Sequence, residues 1–149
     1  MSKPKVLFLC TGNSARSQMA EAFLRAYGGE HFDVFSAGLE QKAEIHPLTR
    51  TAMQEIGLTM DGQYPKSVNE YLGKVIFAYT VSVCGNAEEK CPHIFLGMGR
   101  HMFWPFDDPA ALQGSEDEIL TKVRLIREQI SEKVRSWLHE QGIEPAGMD

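Results

Sequence analysis

Apolar positions along this chain follow two rhythms. Short unbroken apolar runs alternate with stretches whose apolar residues recur every three or four positions. Residues 5–9, KVLFL, form the first run and predict a strand buried on both faces, as in a parallel sheet. From Ser17 the rhythm changes: Met19, Ala20, Phe23, Leu24 and Tyr27 share one helical face, and Gly28-Gly29 closes it. Residues 33–36 predict a second strand, ended by Ala37-Gly38. Pro47 suits the first position of a helix, with Leu48, Ala52 and Ile56 as its stripe and Gly57 as its stop. Ser67-Val68-Asn69-Glu70 fits a capping box ahead of Tyr71-Leu72. Residues 75–83, rich in β-branched and aromatic side chains, predict a third strand. A fourth is predicted over 102–106, kept short or at an edge by Pro105. Ser115 and Glu118 form a second capping box. Ile119, Val123, Ile126, Ile130, Val134 and Trp137 then give the longest helix, ending near His139.

Strands alternating with helices predict an α/β fold: one three-layer domain with a central four-stranded parallel sheet flanked by helices. The catalytic domain is expected over residues 1–140, with residues 141–149 as a flexible tail. At 149 residues the chain can bury an ordinary core without disulfide staples. Its net charge of −5 argues against a nucleic-acid partner held by bulk electrostatics. An anionic substrate therefore needs a local positive field. No apolar stretch is long enough to span a bilayer, and the run after Lys5 reads as a strand rather than a signal peptide. A cytoplasmic monomer, with no membrane and no nucleic acid among its partners, is expected. Three cysteines are too few for a disulfide scaffold, and in a reducing compartment they are more often buried, metal-binding or catalytic.

Between the first strand and the first helix lies Cys10-Thr11-Gly12-Asn13-Ser14-Ala15-Arg16-Ser17. Small and polar residues let successive backbone N–H groups turn inward as a nest, and the helix adds its unpaired N–H groups and positive dipole end. A loop at a strand's carboxyl end is where open α/β sheets bind ligands. Thr11, Gly12, Asn13, Ser14, Ala15, Arg16 and Ser17 are the candidate binding residues. The Gly-x4-Gly-Lys pattern of a nucleotide loop is absent. Cys10 sits at the mouth of this field, so its pKa is expected to be lowered by the helix and Arg16. Arg16 can grip two oxygens of a tetrahedral oxyanion at once. The plainer alternative is a buried cysteine ending a strand, with Arg16 on a solvated helix face.

These residues resemble the low-molecular-weight protein tyrosine phosphatase superfamily, and CTGNSARSQMAE is especially similar to its thioredoxin-coupled arsenate reductase branch. The resemblance extends over nearly the whole chain, through Ser36-Ala37-Gly38, Cys84, Cys91 and Phe106-Asp107-Asp108-Pro109. The phosphatase branch usually has proline where Gln18 stands, and an aromatic residue after its Asp-Pro where this chain has Ala110-Ala111.

What the resemblance implies agrees with electron counting. A phosphatase needs one cysteine, whereas arsenate reduction takes two electrons, which two thiols supply on becoming a disulfide. A third thiol can move that disulfide out of the site by exchange. The expected cascade runs from Cys10 to Cys84 to Cys91, with a thioredoxin-like reductant regenerating the thiols and no cofactor or metal required. Residues 85–90 between the pair are polar and read as a short helix. Seven helical residues advance about 10 Å. A disulfide needs Cα atoms within about 7 Å, so that helix has to open before Cys84 and Cys91 bond. Zinc held by Cys84, Cys91, His93 and His101 is the weaker alternative, because the usual Cys-x2–4-Cys spacing is absent.

The family's general acid precedes the proline, which points to Asp108; an ordinary Asp-Asp-Pro turn is the alternative. Asn13 is expected to brace the loop, Ser17 to donate to the Cys10 thiolate and Thr11 to lie near Cys84. Some branch members bind potassium through residues matching Asn13, Glu21 and Ser36 plus an acid, where this chain has Tyr64-Pro65-Lys66-Ser67. The Lys66 ammonium is expected in place of that ion. Arsenic detoxification, with phosphatase activity as a side reaction, is the activity implied. A phosphatase using Cys10, Arg16 and Asp108 is the second reading, and a non-catalytic oxyanion- or arsenite-binding regulator the third.

Overall fold

The computed structural model describes residues 3–90 and 99–146, with the backbone alone for Asn86, Glu88 and Lys90. The apolar run at the start becomes β1 (Lys5–Cys10), whose residues from Val6 onward are buried. It pairs in parallel with β2 (Asp33–Gly38) on one side and β3 (Tyr79–Ser82) on the other. An edge strand, β4 (Arg100–Phe103), completes a four-stranded parallel sheet in the order β2-β1-β3-β4. The most continuously apolar strand thus takes a central position, as expected where both faces of a parallel sheet are covered.

Two helices cover the face that carries Phe8 and Ser36. On α1 (Arg16–Gly28), the Glu21 carboxylate accepts from the Ser36 hydroxyl. On α4 (Glu116–Glu140), Trp137 packs against Phe32, Tyr79 and Trp104, and Trp104 reaches Phe8. The Ser115–Glu118 capping box at the start of α4 forms as the sequence predicts. A shorter helix, α2 (Pro47–Gln54), packs against α4. Arg124 and Arg127 of α4 reach back to Glu55, just beyond α2.

The opposite face differs from the sequence reading. Ser67 caps only a 3-10 turn, Val68–Glu70, by accepting from Asn69 N. The expected capping box does not form there. The chain then runs through Tyr71 and Phe77, which meet edge-on over Phe35 of β2. Aromatic packing covers this face where a helix was predicted. The third strand is also shorter than expected: Val6 of β1 pairs with Tyr79, so residues 75–78 lie largely beyond the partner strand. Val75 N instead bonds Tyr71 O in a turn, and Ile76 is exposed. The fourth strand starts earlier, at Arg100, and ends before Pro105, which has no N–H to extend the ladder.

A short helix, α3 (Gly85–Lys90), follows β3 as predicted. Beyond α4 the chain stays docked for several residues: Ile143 packs on the core and Ala146 N donates to Tyr27 O. The expected loose tail from residue 141 therefore does not begin before Ala146. Among the described residues no helix is long and apolar enough to cross a membrane.

Candidate active site

Parallel register puts the ends of β1 and β3 side by side. Leu9 pairs with Ser82, and Val83 N donates to Leu9 O at 2.9 Å. Cys10 ends β1, one residue past Leu9, and Cys84 lies two residues past Ser82, just beyond β3; both are free thiols and both are buried. Each thiol shifts the pKa of the other. Thr11 Oγ1 lies 3.4 Å from Cys84 Sγ, and Ala87 N of α3 donates to the same sulfur at 3.4 Å. Thr11 thus sits beside Cys84 as expected.

The loop after Cys10 is turned inside out by its neighbour. Carbonyls of Cys10, Thr11, Gly12 and Ser14 accept from the backbone N–H groups of Leu39, Glu40, Lys42 and His46 respectively. In a planar trans peptide the N–H points opposite to the C=O. Drawing these carbonyls outward therefore leaves the loop's N–H groups facing the other way, into the concavity. Ala15 at the N-cap of α1 offers no side-chain acceptor, so the first-turn N–H groups of that helix also remain for a ligand. Gly38 permits this closeness: a Cβ there would lie 2.6 Å from Thr11 O.

Asn13 is the brace. Its backbone is left-handed, with φ of 50°, a region asparagine tolerates better than most residues. Its side-chain amide donates to Ser17 Oγ at 2.8 Å, and its Oδ1 accepts from Lys66 N at 2.7 Å and Gln18 Nε2 at 3.0 Å. Gln18 also donates to Asn13 O and Tyr64 O, and accepts from Gln63 Nε2. A buried proline at position 18 would have no such donors, which accounts for a polar residue there. Ser17 is engaged by Asn13, and no Ser17–Cys10 hydrogen bond is present among the described residues, contrary to expectation.

Arg16 is 8% exposed and crosses the cavity floor. Its Nη1 donates to Phe106 O at 3.1 Å, its Nη2 lies 3.6 Å from Asp108 Oδ2, and its Nε is buried without a protein partner. Asp108 caps the turn Pro109–Ala111 through Ala110 N, leaving the second carboxylate oxygen toward Arg16. The cavity, about 270 Å³, is lined by Cys10, Thr11, Gly12, Ser14, Ala15, Arg16 and Asp108, joined by Glu40, Lys42 and Ala110. Asn13 and Ser17 stand behind the lining as support. Glu40 and Lys42 were not singled out in the sequence. A signal was available, because they follow β2 at the same carboxyl edge as Cys10, where open α/β sheets place ligand contacts. His46 caps α2 beside the loop. Burial and the nearby Lys42 charge lower its pKa, against the pull of Asp108.

The two thiols titrate as one unit, and this corrects the expectation of a lowered Cys10. Cys84 and burial push the Cys10 thiol up, although Arg16 pulls the other way. Cys84 falls to about 5, because Cys10, Thr11 and Ala87 all donate to its sulfur. Donor hydrogen bonds thus favour the charge on Cys84 over Cys10.

Behind the loop, Glu21 is 4% exposed and has three partners: Ser36 Oγ, Arg25 Nη2 at 2.7 Å and Lys66 Nζ at 3.8 Å. Lys66 Nζ also donates to Tyr64 O at 2.8 Å and lies over the Tyr64 ring. Burial lowers the Lys66 pKa, against the pull of Glu21. The Lys66 ammonium thus stands beside the buried Glu21 carboxylate. Cys91 and His93 lie outside the described residues. Among the described residues no cluster of metal-ligating side chains is present, and His101 instead meets Thr80 Oγ1 across β3 and β4.

A cysteine pair, an inward-turned loop and an arginine at the carboxyl edge of a four-stranded parallel sheet define the class: an α/β protein with the low-molecular-weight phosphatase fold. The sequence model described as "Low molecular weight phosphotyrosine protein phosphatase" matches residues 5–144, and the chain belongs to that family. It is 38% identical over 136 residues to an arsenate reductase of Oceanobacillus iheyensis, covering 91% of this chain and 95% of that protein. A solved arsenate reductase in its oxidized state superimposes with a TM-score of 0.76 at 28% identity, covering 91% of this chain and 97% of the other. The low molecular weight protein tyrosine phosphatase of T. tengcongensis shares the fold, with a TM-score of 0.77 at 18% identity over 93% of this chain and 99% of the other.

Proposed function

We propose that the chain is an arsenate reductase working through a thiol cascade. One observation carries the proposal: a second free and buried thiol, Cys84, stands beside the loop of the candidate nucleophile, within 3.4 Å of Thr11 Oγ1. Phosphate-ester hydrolysis has no use for it, whereas a two-electron reduction requires it. The arsenate reductases at 37% and 38% identity support the same reading.

The site's geometry supports the following steps. Arsenate enters the nest with its equatorial oxygens on loop N–H groups and on Arg16, whose Nε lacks a protein partner. Cys84 takes up the proton that Cys10 carries, and the Cys10 thiolate attacks arsenic. Asp108 protonates the departing oxygen, which leaves as water. Cys84 gives up its proton to water and, as the thiolate, attacks the Cys10 sulfur. A disulfide forms, the sulfur–arsenic bond breaks, and its electron pair stays on arsenic, which falls from As(V) to As(III) and leaves as arsenite. Cys91 then attacks Cys84, freeing Cys10 as the thiolate and moving the disulfide outward as α3 opens. The dithiol of a thioredoxin-like protein reduces the Cys84–Cys91 bond, and no metal or cofactor enters the cycle. The expected setting is the cytoplasm, where thiols are kept reduced.

NADPH oxidation dependent on arsenate, thioredoxin and thioredoxin reductase is the direct test. Wild type should turn over continuously, while Cys91→Ser should stop at one turnover. Sustained cycling by Cys91→Ser would sink the cascade. The second reading, a phosphatase, draws on the Cys10, Arg16 and Asp108 arrangement that such an enzyme would share. Against it, among the described residues no aromatic side chain lines the cavity to stack on a phosphotyrosine ring.

A further inference from the structure

We propose that Lys42 recruits the oxyanion and holds its outer oxygen, favouring a free inorganic oxyanion over an organic phosphate ester. The inference rests on the oxyanion-site part of the proposed function and is independent of the reduction step.

Lys42 belongs to the strap, residues 39–46, that pulls the loop carbonyls outward. Its own N–H is fixed to Gly12 O at 2.9 Å, which anchors its backbone to the loop. Its stem lies flat across Gly12: a Cβ on Gly12 would meet Lys42 Cγ at 3.1 Å and Cε at 3.3 Å. This packing directs the ammonium along the rim of the cavity that the residue lines. Cavity charge makes that cation important. Arg16 and Lys42 face Glu40 and Asp108, and the thiol pair adds negative charge. Arg16 is already shared with Phe106 O and Asp108. Among the described residues no carboxylate forms an ion pair with Lys42, so its charge remains for the ligand.

Chemistry at the mouth then discriminates between ligands. When Cys10 attacks from below, the leaving oxygen points outward, toward Asp108 and the rim. In an inorganic oxyanion this atom is a bare or protonated oxygen that a lysine can bond. In an ester it carries carbon and has no charge to offer. Glu40 lines the same rim, and its carboxylate opposes anion entry.

Calorimetric titration of the reduced, full-length chain with inorganic phosphate tests this without any redox step. Lys42→Met keeps the stem over Gly12 and removes only the charge. Its Kd for phosphate should rise about three- to tenfold, and the difference should shrink at high salt. Lys42→Arg should stay within about twofold of wild type, and Glu40→Gln should bind about twofold tighter. Phenyl phosphate should lose less affinity than inorganic phosphate on Lys42→Met. An unchanged phosphate Kd in Lys42→Met, or an equal loss for both ligands, overturns the proposal. Thermal melting of each variant excludes unfolding as the cause. If phosphate binding responds as stated while arsenate-dependent NADPH oxidation is absent, the rim assignment stands and the reductase reading falls. The converse pair of results separates them the other way.

Discussion

Cys10 and Cys84 stand at the ends of neighbouring strands, yet the regions that carry them are built on opposite plans. The loop from Cys10 to Ser17 is tied down at almost every residue: four carbonyls are held by the strap, Asn13 is held by Lys66 and Gln18, and Arg16 by Phe106 O and Asp108. Cys84 opens a six-residue helix whose first residue, Gly85, has open space around its Cα. Within α3, Ala87 is the buried anchor, and its N–H contact to Cys84 Sγ is lost if the helix opens. The difference teaches a division of labour. Holding an oxyanion at its transition state rewards dipoles that do not reorganise. Passing a disulfide outward rewards an element short enough to unwind at low cost, since a helix this size is barely stable alone.

Removing the thiol of the looser region should have the largest effect. Cys84→Ser should abolish arsenate turnover while leaving phosphate-ester hydrolysis, if any, within about tenfold of wild type, a loss of no more than one pKa-scale step in transition-state energy. A parallel drop in both activities would merge the two regions into one catalytic unit. The same variant should also remove a titration. Cys84 is an acid whose folded pKa is lowered to about 5, so wild-type thiolate absorbance should persist as pH falls through neutrality and disappear near that value. In Cys84→Ser that step should be gone.

An intermediate effect is expected when the rigid region loses its brace. Asn13→Ala places a residue that disfavours a φ of 50° there, leaves Lys66 N without its acceptor and removes one of the acceptors of Gln18. It should destabilise the fold by about 2–3 kcal/mol in denaturant melts and weaken phosphate binding. A well-folded, tightly binding Asn13→Ala would show that the strap alone shapes the nest.

The smallest effect concerns the cation behind the loop. Lys66→Met removes one partner of buried Glu21 while Arg25 and Ser36 remain. A loss of about 1–2 kcal/mol is expected, less than for a buried charge left wholly unpaired. Wild-type melting temperature should be the same in potassium and sodium chloride at equal ionic strength. A clear rise in potassium would displace Lys66 from the role of resident cation.

Much of this architecture was legible in the residues. Val6 to Leu9 had to be an inner strand, and the Ser115–Glu118 box with its apolar stripe had to open a long helix, because local pattern and burial agree there. The Cys10–Arg16 spacing between strand and helix located the oxyanion site. Elsewhere local signals competed with tertiary ones. Ser67 and Glu70 offered helix-capping chemistry, but edge-on packing of Tyr71 and Phe77 over Phe35 stopped the helix at one turn. Val75 and Ile76 have strand-forming side chains and no partner strand.

The chain's residue order carries the α/β alternation, the cysteine with its arginine and the count of thiols that the proposed reduction demands, since each depends on neighbours a few positions apart or on composition. Contacts across the fold decide the rest. Parallel register brings Cys84 against Cys10 and lets the pair share one proton, which reverses the direction of the Cys10 shift expected from its own loop. Packing of residues 39–46 on the loop turns its carbonyls outward and lays Lys42 along the rim. Through-space hydrogen bonds and charges set pKa values and ligand contacts, and they follow distances that only the closed fold defines.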